Sequence, residues 1–281
     1  MSLTSFIPDP KFDEYKEKFN EHFFMKRKDG IIEVRMHTQG QEAKWSLELH
    51  RALPQMFEVV GADRENEVMI LTGTGNTWIA SLDQESFDAI EHEGESGFKQ
   101  FSYDMYYHDA TKLVEKPLWD LDIPTISVIN GPGFHTEFAL TCDLTICSED
   151  AQFIDPHLYA GLAPGDGQFL VFQQLLGLKR ANYAMYMIQN LDAKRALEWG
   201  LVNEVLPREK LLDRAWELAE TVVNRNPRIV RRMTTQIAKR PWRRLFTDDF
   251  SMHIAHEMYA IHISMQQHGG KSADSLWKKK K

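Results

Sequence analysis

The chain has 281 residues, 43% hydrophobic and 26% charged, enough to bury a sizeable core without disulfides or a structural metal. Its formal net charge of −8 argues against a general nucleic-acid binder, because phosphate contacts need clustered Lys and Arg. Two cysteines, Cys142 and Cys147, cannot staple a chain of this size and fit a reducing compartment, and no Cys/His zinc spacing occurs.

The opening stretch MSLTSFIPDPKFDEY is too polar for a secretory signal and too acidic for a mitochondrial leader. No apolar run approaches the length of a membrane span, so a cytoplasmic protein without a membrane partner is expected. Residues 22–38 read as a hairpin, because HFFMKRK and IIEVRMHT flank the tight-turn pair Asp29-Gly30. Residues 46–60 read as a helix with Ser46 as N-cap and Leu49, Leu53, Met56, Phe57 and Val60 at helical spacing, although Pro54 is expected to kink or shift it.

VMILTG at 68–73, PTISVING at 124–131 and DLTICSE at 143–149 have the pattern of short buried strands, and AQF at 151–153 of one more. Strands alternating with helices indicate a layered α/β fold. Residues 84–115 are acidic and aromatic. They suggest either a long loop carrying a helix near a site or a solvated helix. Beyond residue 165 the pattern turns helical. A helix ends at Gly177, another spans 192–199 between Asp192 and Gly200, and others cover 209–225, 228–239 and 244–265. Arg225, Arg228, Arg231, Arg232, Arg240, Arg243 and Arg244 read as a solvated helix face, and Lys278 to Lys281 as a disordered terminus.

Several common signatures fail. Gly73-x-Gly75 lacks the third glycine of a dinucleotide site, no GxSxG nucleophile elbow exists, and His92-Glu93 lacks a second His. No cofactor and no metal are expected.

Four segments in order resemble the crotonase (enoyl-CoA hydratase/isomerase) superfamily: LTGTGNTWIASLD (71–83), IPTISVINGPGFHTEFALTCDLTICSEDAQF (123–153), DPHLYAGLAPGDGQFLVFQQLLGLKRA (155–181) and LDAKRALEWGLVNEVLPREKLLDRAWELAETV (191–222). The resemblance implies an α/β crotonase-like spiral of ββα units with a helical C-terminal region. Residues 1–206 would form the spiral core and 207–281 a helical oligomerisation region, assembled as a homotrimer or a dimer of trimers.

The resemblance also implies an oxyanion hole of two backbone N–H groups, from Leu82 and Phe134 by position. The chain departs from the superfamily pattern at both. Ala80-Ser81-Leu82 replaces Ala-Gly before the first donor, and Gly133-Phe134-His135-Thr136-Glu137 replaces a glycine triplet before the acid. Those glycines let a thioester press on the backbone, so their loss counts against acyl-CoA. Glu137 keeps the place of one hydratase glutamate, whereas His157, in Asp155-Pro156-His157, takes the place of the other.

His157 with Asp166 of the PGDG loop resembles the water-activating dyad of the β-diketone hydrolase branch of the superfamily. His135, the Trp45-x4-His50 pair and Glu257 match further positions of that branch. The activity implied is retro-Claisen hydrolysis of a small-molecule diketone. His157, held by Asp166, would act as base, His135 would polarise the second carbonyl, and Trp45, His50 and Glu257 would shape the pocket. Plainer roles are a buried His50–Glu257 pair, a core Trp45, and Glu137 bracing the helix that starts there. Two other functions stay open: an acyl-CoA hydratase or isomerase using Glu137, and a non-catalytic RNA-binding or scaffold member whose only support is the basic stretch.

Overall fold

The computed structural model describes residues 8–87 and 103–267. Helix α1 (Phe12–Lys18) leads into the hairpin of β1 (Phe23–Lys28) and β2 (Ile31–Met36), paired antiparallel from Phe23↔Met36 to Lys28↔Ile31. Asp29 and Gly30 both have positive φ, 52° and 79°, as a two-residue hairpin turn matched to strand twist requires. After β3 (Lys44–Trp45) comes α2 (Leu47–Ala62), where the Ser46 side chain accepts the Leu49 N–H at 3.0 Å. The expected kink is absent as a break, since α2 runs through Pro54.

The main sheet has six strands in the order β1-β2-β4-β6-β7-β10, adding β4 (Val68–Gly73), β6 (Thr125–Ile129), β7 (Leu144–Ser148) and β10 (Glu204–Leu206). Every pairing except β1–β2 is parallel. Parallel strands are covered on both faces, and alternate residues divide accordingly. Ile32, Val34, Met36, Met69 and Leu71 enter one large core cluster with α2. Ile31, Val68, Ile70, Ile126, Val128 and Ile146 enter a second cluster with Leu211, Ala215 and Ala219 of α9 (Arg208–Arg225).

The shorter elements are β5 (Ser81–Leu82), α3 (Lys112–Trp119), α4 (Glu137–Leu140), β8 (Gln152–Phe153), α5 (His157–Ala160), α6 (Gln168–Leu176), α7 (Leu178–Tyr186), β9 (Leu191–Asp192) and α8 (Ala193–Trp199). Small pairings join β3 to β5 and β8 to β9. Of the polar region 84–115, residues 88–102 lie outside the described residues. Asp104–Thr111 forms a π-helical turn continuing into α3, so its end is part of the fold.

The C-terminal helices are α10 (Arg228–Ala238), α11 (Arg240–Asp248) and α12 (Phe250–Gln267), so the single helix expected over 244–265 is two. They share the core of the sheet layers. Phe246, Phe250 and Ile254 are buried in the large cluster, and α9 covers the opposite sheet face. The arginine stretch is also not simply a solvated face. Arg231 and Lys239 are buried. Arg228 and Arg231 pair with Glu67, Arg232 with Asp122, and Lys239 Nζ donates to the carbonyls of Pro117 and Leu121 at 2.9 and 3.0 Å. Arg225, Arg228, Arg240 and Arg244 are exposed as expected, whereas Arg231, Arg232 and Lys239 satisfy carboxylates and helix-end carbonyls as part of the folded layers. Lys278 to Lys281 lie outside the described residues. No described helix is long and apolar enough to cross a membrane.

Candidate active site

The site begins where β8 ends. In Asp155-Pro156-His157 the chain turns into α5, and one oxygen of the buried Asp155 meets two groups of His157. Oδ1 accepts the backbone N–H at 3.0 Å and lies 2.7 Å from ring Nδ1. A short side chain bonding its own backbone two residues on is the turn chemistry of Asp. Helix α5 ends at Gly161 with φ 76°, and the chain returns through Pro164-Gly165-Asp166-Gly167 to α6. Asp166 Oδ1 accepts the Gln168 N–H at 3.0 Å, tying down the start of α6. Its Oδ2 lies 3.4 Å from His135 Nδ1 and 3.9 Å from His157 Nε2.

Helix α12 closes this loop from outside. Glu257 Oε2 accepts the Gly165 N–H at 2.9 Å, and Oε1 lies 3.6 Å from His157 Nε2. The approach needs a glycine, since a Cβ at position 165 would meet the His253 carbonyl oxygen at 2.2 Å and Glu257 Cβ at 2.6 Å.

His135 enters from the segment between β6 and α4. Its φ of 56° is unusual for a non-glycine residue, and the Trp78 indole N–H donates to its carbonyl at 3.0 Å. The ring stacks on Trp45 with centroids 3.9 Å apart, and Nδ1 lies 3.1 Å from Glu137 Oε1. His50, from α2, packs on Trp45 at 4.8 Å.

Burial and charge set the protonation of these groups. Burial opposes a charge on His157, but Asp166, Glu257 and the hydrogen bond to Asp155 outweigh it and hold its pKa well above the ordinary range. Burial likewise opposes a charge on His135, and Glu137 and Asp166 outweigh it and raise the imidazole's proton affinity. Glu137 is itself raised by burial. His50 has no such carboxylate. Burial, with the charges of His135 and Arg51, pushes it down to about 3, so it is neutral.

A small cavity is lined by Phe134, His135, Ile154, Pro156, His157, Asp166 and Gln168. Of the residues singled out in the sequence, the fold therefore brings His135, His157, Asp166 and Phe134 to the lining of one cavity, with Glu257 beside His157 Nε2, Trp45 stacked on His135 and His50 packed on Trp45. His50 and Glu257 do not pair with each other. Leu82 lies in β5 opposite Trp45 of β3 and is not among the residues that line this cavity. Glu137 contacts His135 and does not line the cavity.

The His157 imidazole has a nearer carboxylate than the expected one: Asp155 Oδ1 lies 2.7 Å from its Nδ1, while Asp166 Oδ2 lies 3.9 Å from its Nε2 and 3.4 Å from His135. Two residues had no assigned role. Asp155 is signalled by an Asp two positions before the His. Gln168, whose Oε1 accepts from Thr136 Oγ1 at 3.0 Å while Nε2 is buried without a partner among the described residues, has no such signal.

The donor atoms of His135, Glu137 and Asp166, and those of Asp155, His157 and Asp166, lie within 4.8 Å of one another. That is close enough to share a cation, but these are equally the distances of the imidazole–carboxylate contacts just described.

Comparison with known proteins agrees with this fold. The structure is similar to a β-diketone hydrolase from the cyanobacterium Anabaena sp. PCC 7120 bound to (S)-3-oxocyclohexyl acetic acid, with TM-score 0.79, 34% identity, and coverage of 88% of this chain and 96% of that one. An enoyl-CoA hydratase/isomerase from Mycobacterium paratuberculosis shares the fold with TM-score 0.73 at 18% identity, over 85% of this chain and 93% of that one. In sequence, a carnitinyl-CoA dehydratase of Citrobacter koseri is 31% identical over 74% of this chain and 77% of its own length. A hydroxycinnamoyl-CoA hydratase-lyase of Pseudomonas fluorescens is 27% identical over 72% of this chain and 73% of its own. The enoyl-CoA hydratase/isomerase family profile matches residues 26–270, and the chain belongs to that family.

Proposed function

We propose that this chain is a β-diketone hydrolase that cleaves a carbon–carbon bond by a retro-Claisen reaction. The observation that carries the reading is the pair of imidazoles, His157 and His135, facing the same carboxylate, Asp166, at the wall of one cavity. A hydratase that uses two glutamates would have a carboxylate where His157 stands. The likeness to a β-diketone hydrolase at 34% identity supports the same reading.

In this proposal His157 Nε2 takes a proton from water and the hydroxide oxygen bonds to one carbonyl carbon. The carbonyl becomes a tetrahedral oxyanion, stabilised by the backbone N–H groups of Leu82 and Phe134. When the oxyanion collapses, the bond to the central carbon breaks and its electron pair passes into the second carbonyl as an enolate. His135, whose proton affinity Glu137 and Asp166 raise, donates to that oxygen. The proton from water ends on the former central carbon, so one water is consumed and a carboxylic acid and a ketone result. The second carbonyl is the electron sink. The chain is also proposed to self-associate, as a trimer or a dimer of trimers.

The test is a screen of cyclic and linear 1,3-diketones, followed by loss of enol absorbance, with His157→Ala as control. Turnover that vanishes in the control supports the proposal. Turnover of CoA thioesters in place of every diketone would replace it with the second reading, an acyl-CoA hydratase or dehydratase acting through Glu137. The CoA-named relatives favour that reading. Phe134 in the cavity lining, in place of the glycine that the superfamily resemblance implies there, weighs against it.

A further inference from the structure

We infer that Asp155 is the positioning residue of the site, fixing neutral His157 as the Nδ1–H tautomer and leaving Nε2 as the proton-accepting atom, and that Asp166 chiefly serves His135. The kinetic part of this inference rests on the hydrolase reading; the tautomer part does not.

Four titratable groups face His157: Asp155 from its own turn, Asp166 from the loop before α6, Glu257 from α12, and His135 from the segment before α4. Only Asp155 is within hydrogen-bond distance of a ring nitrogen. The 2.7 Å to Nδ1 is that of a charge-assisted bond, whereas 3.6 Å from Glu257 and 3.9 Å from Asp166 to Nε2 are not hydrogen bonds. The same Asp155 oxygen also accepts the backbone N–H of His157, so carboxylate and ring are locked in one turn. Asp155 is buried, and its other oxygen has no partner among the described residues, so no second group competes for the carboxylate.

Asp166 cannot do this job. Its Oδ1 accepts from Gln168 and its Oδ2 is nearer to His135 than to His157. A carboxylate on Nδ1 places the lone pair of a neutral imidazole on Nε2, the nitrogen nearer Asp166 and Glu257. This is the logic by which a buried Asp orients the His of a hydrolase triad.

The test uses the full chain labelled with 15N-histidine. Two-bond 1H–15N correlations assign the tautomer of His157 above its titration, with the His157→Gln spectrum identifying the signal. The Nδ1–H tautomer is expected in the wild type and in Asp166→Asn, and a shift toward Nε2–H in Asp155→Ala. In parallel, Asp155→Ala is expected to lose kcat on the order of a thousandfold with little change in KM. Asp155→Asn, which keeps an acceptor for the backbone N–H, is expected to move the acid limb of the rate profile to lower pH. The assignment is overturned by an Nε2–H tautomer in the wild type, or by a tautomer that follows Asp166→Asn and ignores Asp155→Ala. The wild-type spectrum decides even if Asp155→Ala does not fold. If the spectra come out as expected and no diketone is turned over, the assignment stands and the hydrolase reading falls.

Discussion

Glu257 joins two parts of the site with its two oxygens, one accepting the Gly165 N–H at 2.9 Å and the other 3.6 Å from His157 Nε2. Helix α12 is thereby pinned to the loop that carries Asp166, and the absence of a side chain at Gly165 permits the approach. Gly165→Ala would place a Cβ 2.2 Å from the His253 carbonyl oxygen. Either the helix or the loop must then shift. We expect the variant to be destabilised by about 1–3 kcal/mol, the usual cost of overpacking, and to lose activity beyond that. Denaturant unfolding and diketone turnover measure the two effects. Full activity in a folded Gly165→Ala protein would mean that this contact does not set the site.

His157 must be neutral to accept a proton, yet Asp166, Glu257 and Asp155 hold its pKa well above the ordinary value of about 6.5. The rate is therefore expected to rise with pH through a pKa above 6.5. The stability sign is opposite. A raised folded-state pKa contributes stability that is fully present below the unfolded value and is lost as pH rises through the folded one. An NMR titration of His157 and a kcat/KM profile are expected to give matching values. Removing one facing carboxylate charge with Glu257→Gln is expected to lower both. An acid limb at or below 6.5 contradicts this account.

His50 predicts acid sensitivity from the other direction. Its folded-state pKa is pushed down to about 3, so below the unfolded value the unfolded chain takes up a proton that the native chain refuses. Its stability is present above about pH 6.5 and is progressively lost as pH falls from there toward 3. Urea midpoints across that window are expected to fall less steeply in His50→Gln than in the wild type. Parallel curves would remove His50 from the account.

Strands β1, β2, β4, β6, β7 and β8 and the longer C-terminal helices were legible because each carries its own local signal, whereas β3, β5, β9 and β10, of two or three residues, are too short to carry one. VMILTG is β4 to the residue, Asp29-Gly30 turns the hairpin, and Ser46 and Asp192 cap where their positions suggest. The division of 240–267 into two helices was not, since both halves keep an apolar periodicity. Nor was the destination of the arginines, because Glu67 and Asp122 lie far away in sequence. In the site, residues that carry recognisable motifs could be read, whereas Gln168 owes its place to the packing of Thr136 against α6, which no spacing reveals.

Gln168 offers its own prediction. Thr136 fixes the amide through Oε1, and the buried Nε2 beside the cavity has no partner among the described residues. A buried unsatisfied donor costs roughly 1–3 kcal/mol, which a substrate carbonyl accepting from it would relieve. Gln168→Leu is expected to raise KM for a diketone about tenfold or more while leaving thermal stability within a few degrees of the wild type. A KM unchanged in Gln168→Leu would show that the amide does not meet substrate.

Helix α10 presents two different faces. Arg231 and Thr235 are buried on one, while Ile229 and Ile237 are 74% and 73% exposed on the other, with Val230 and Met233 also exposed beside them. Positions 229, 233 and 237 are spaced four apart and share one side of the helix. If the chain self-associates as proposed, this exposed apolar stripe is the surface on which a second copy is expected to pack, because its burial would be favourable. Light scattering after gel filtration is expected to give a multiple of the chain mass for the wild type. Replacing Ile229, Met233 and Ile237 together by Ser is expected to give the single-chain mass without loss of helix content by circular dichroism. The interior face of α10, which carries the Arg231–Glu67 pair, is untouched by those substitutions, so a dissociated but folded protein separates the two faces. A wild type that runs as a single chain at micromolar concentration would rule out this stripe as the assembly surface.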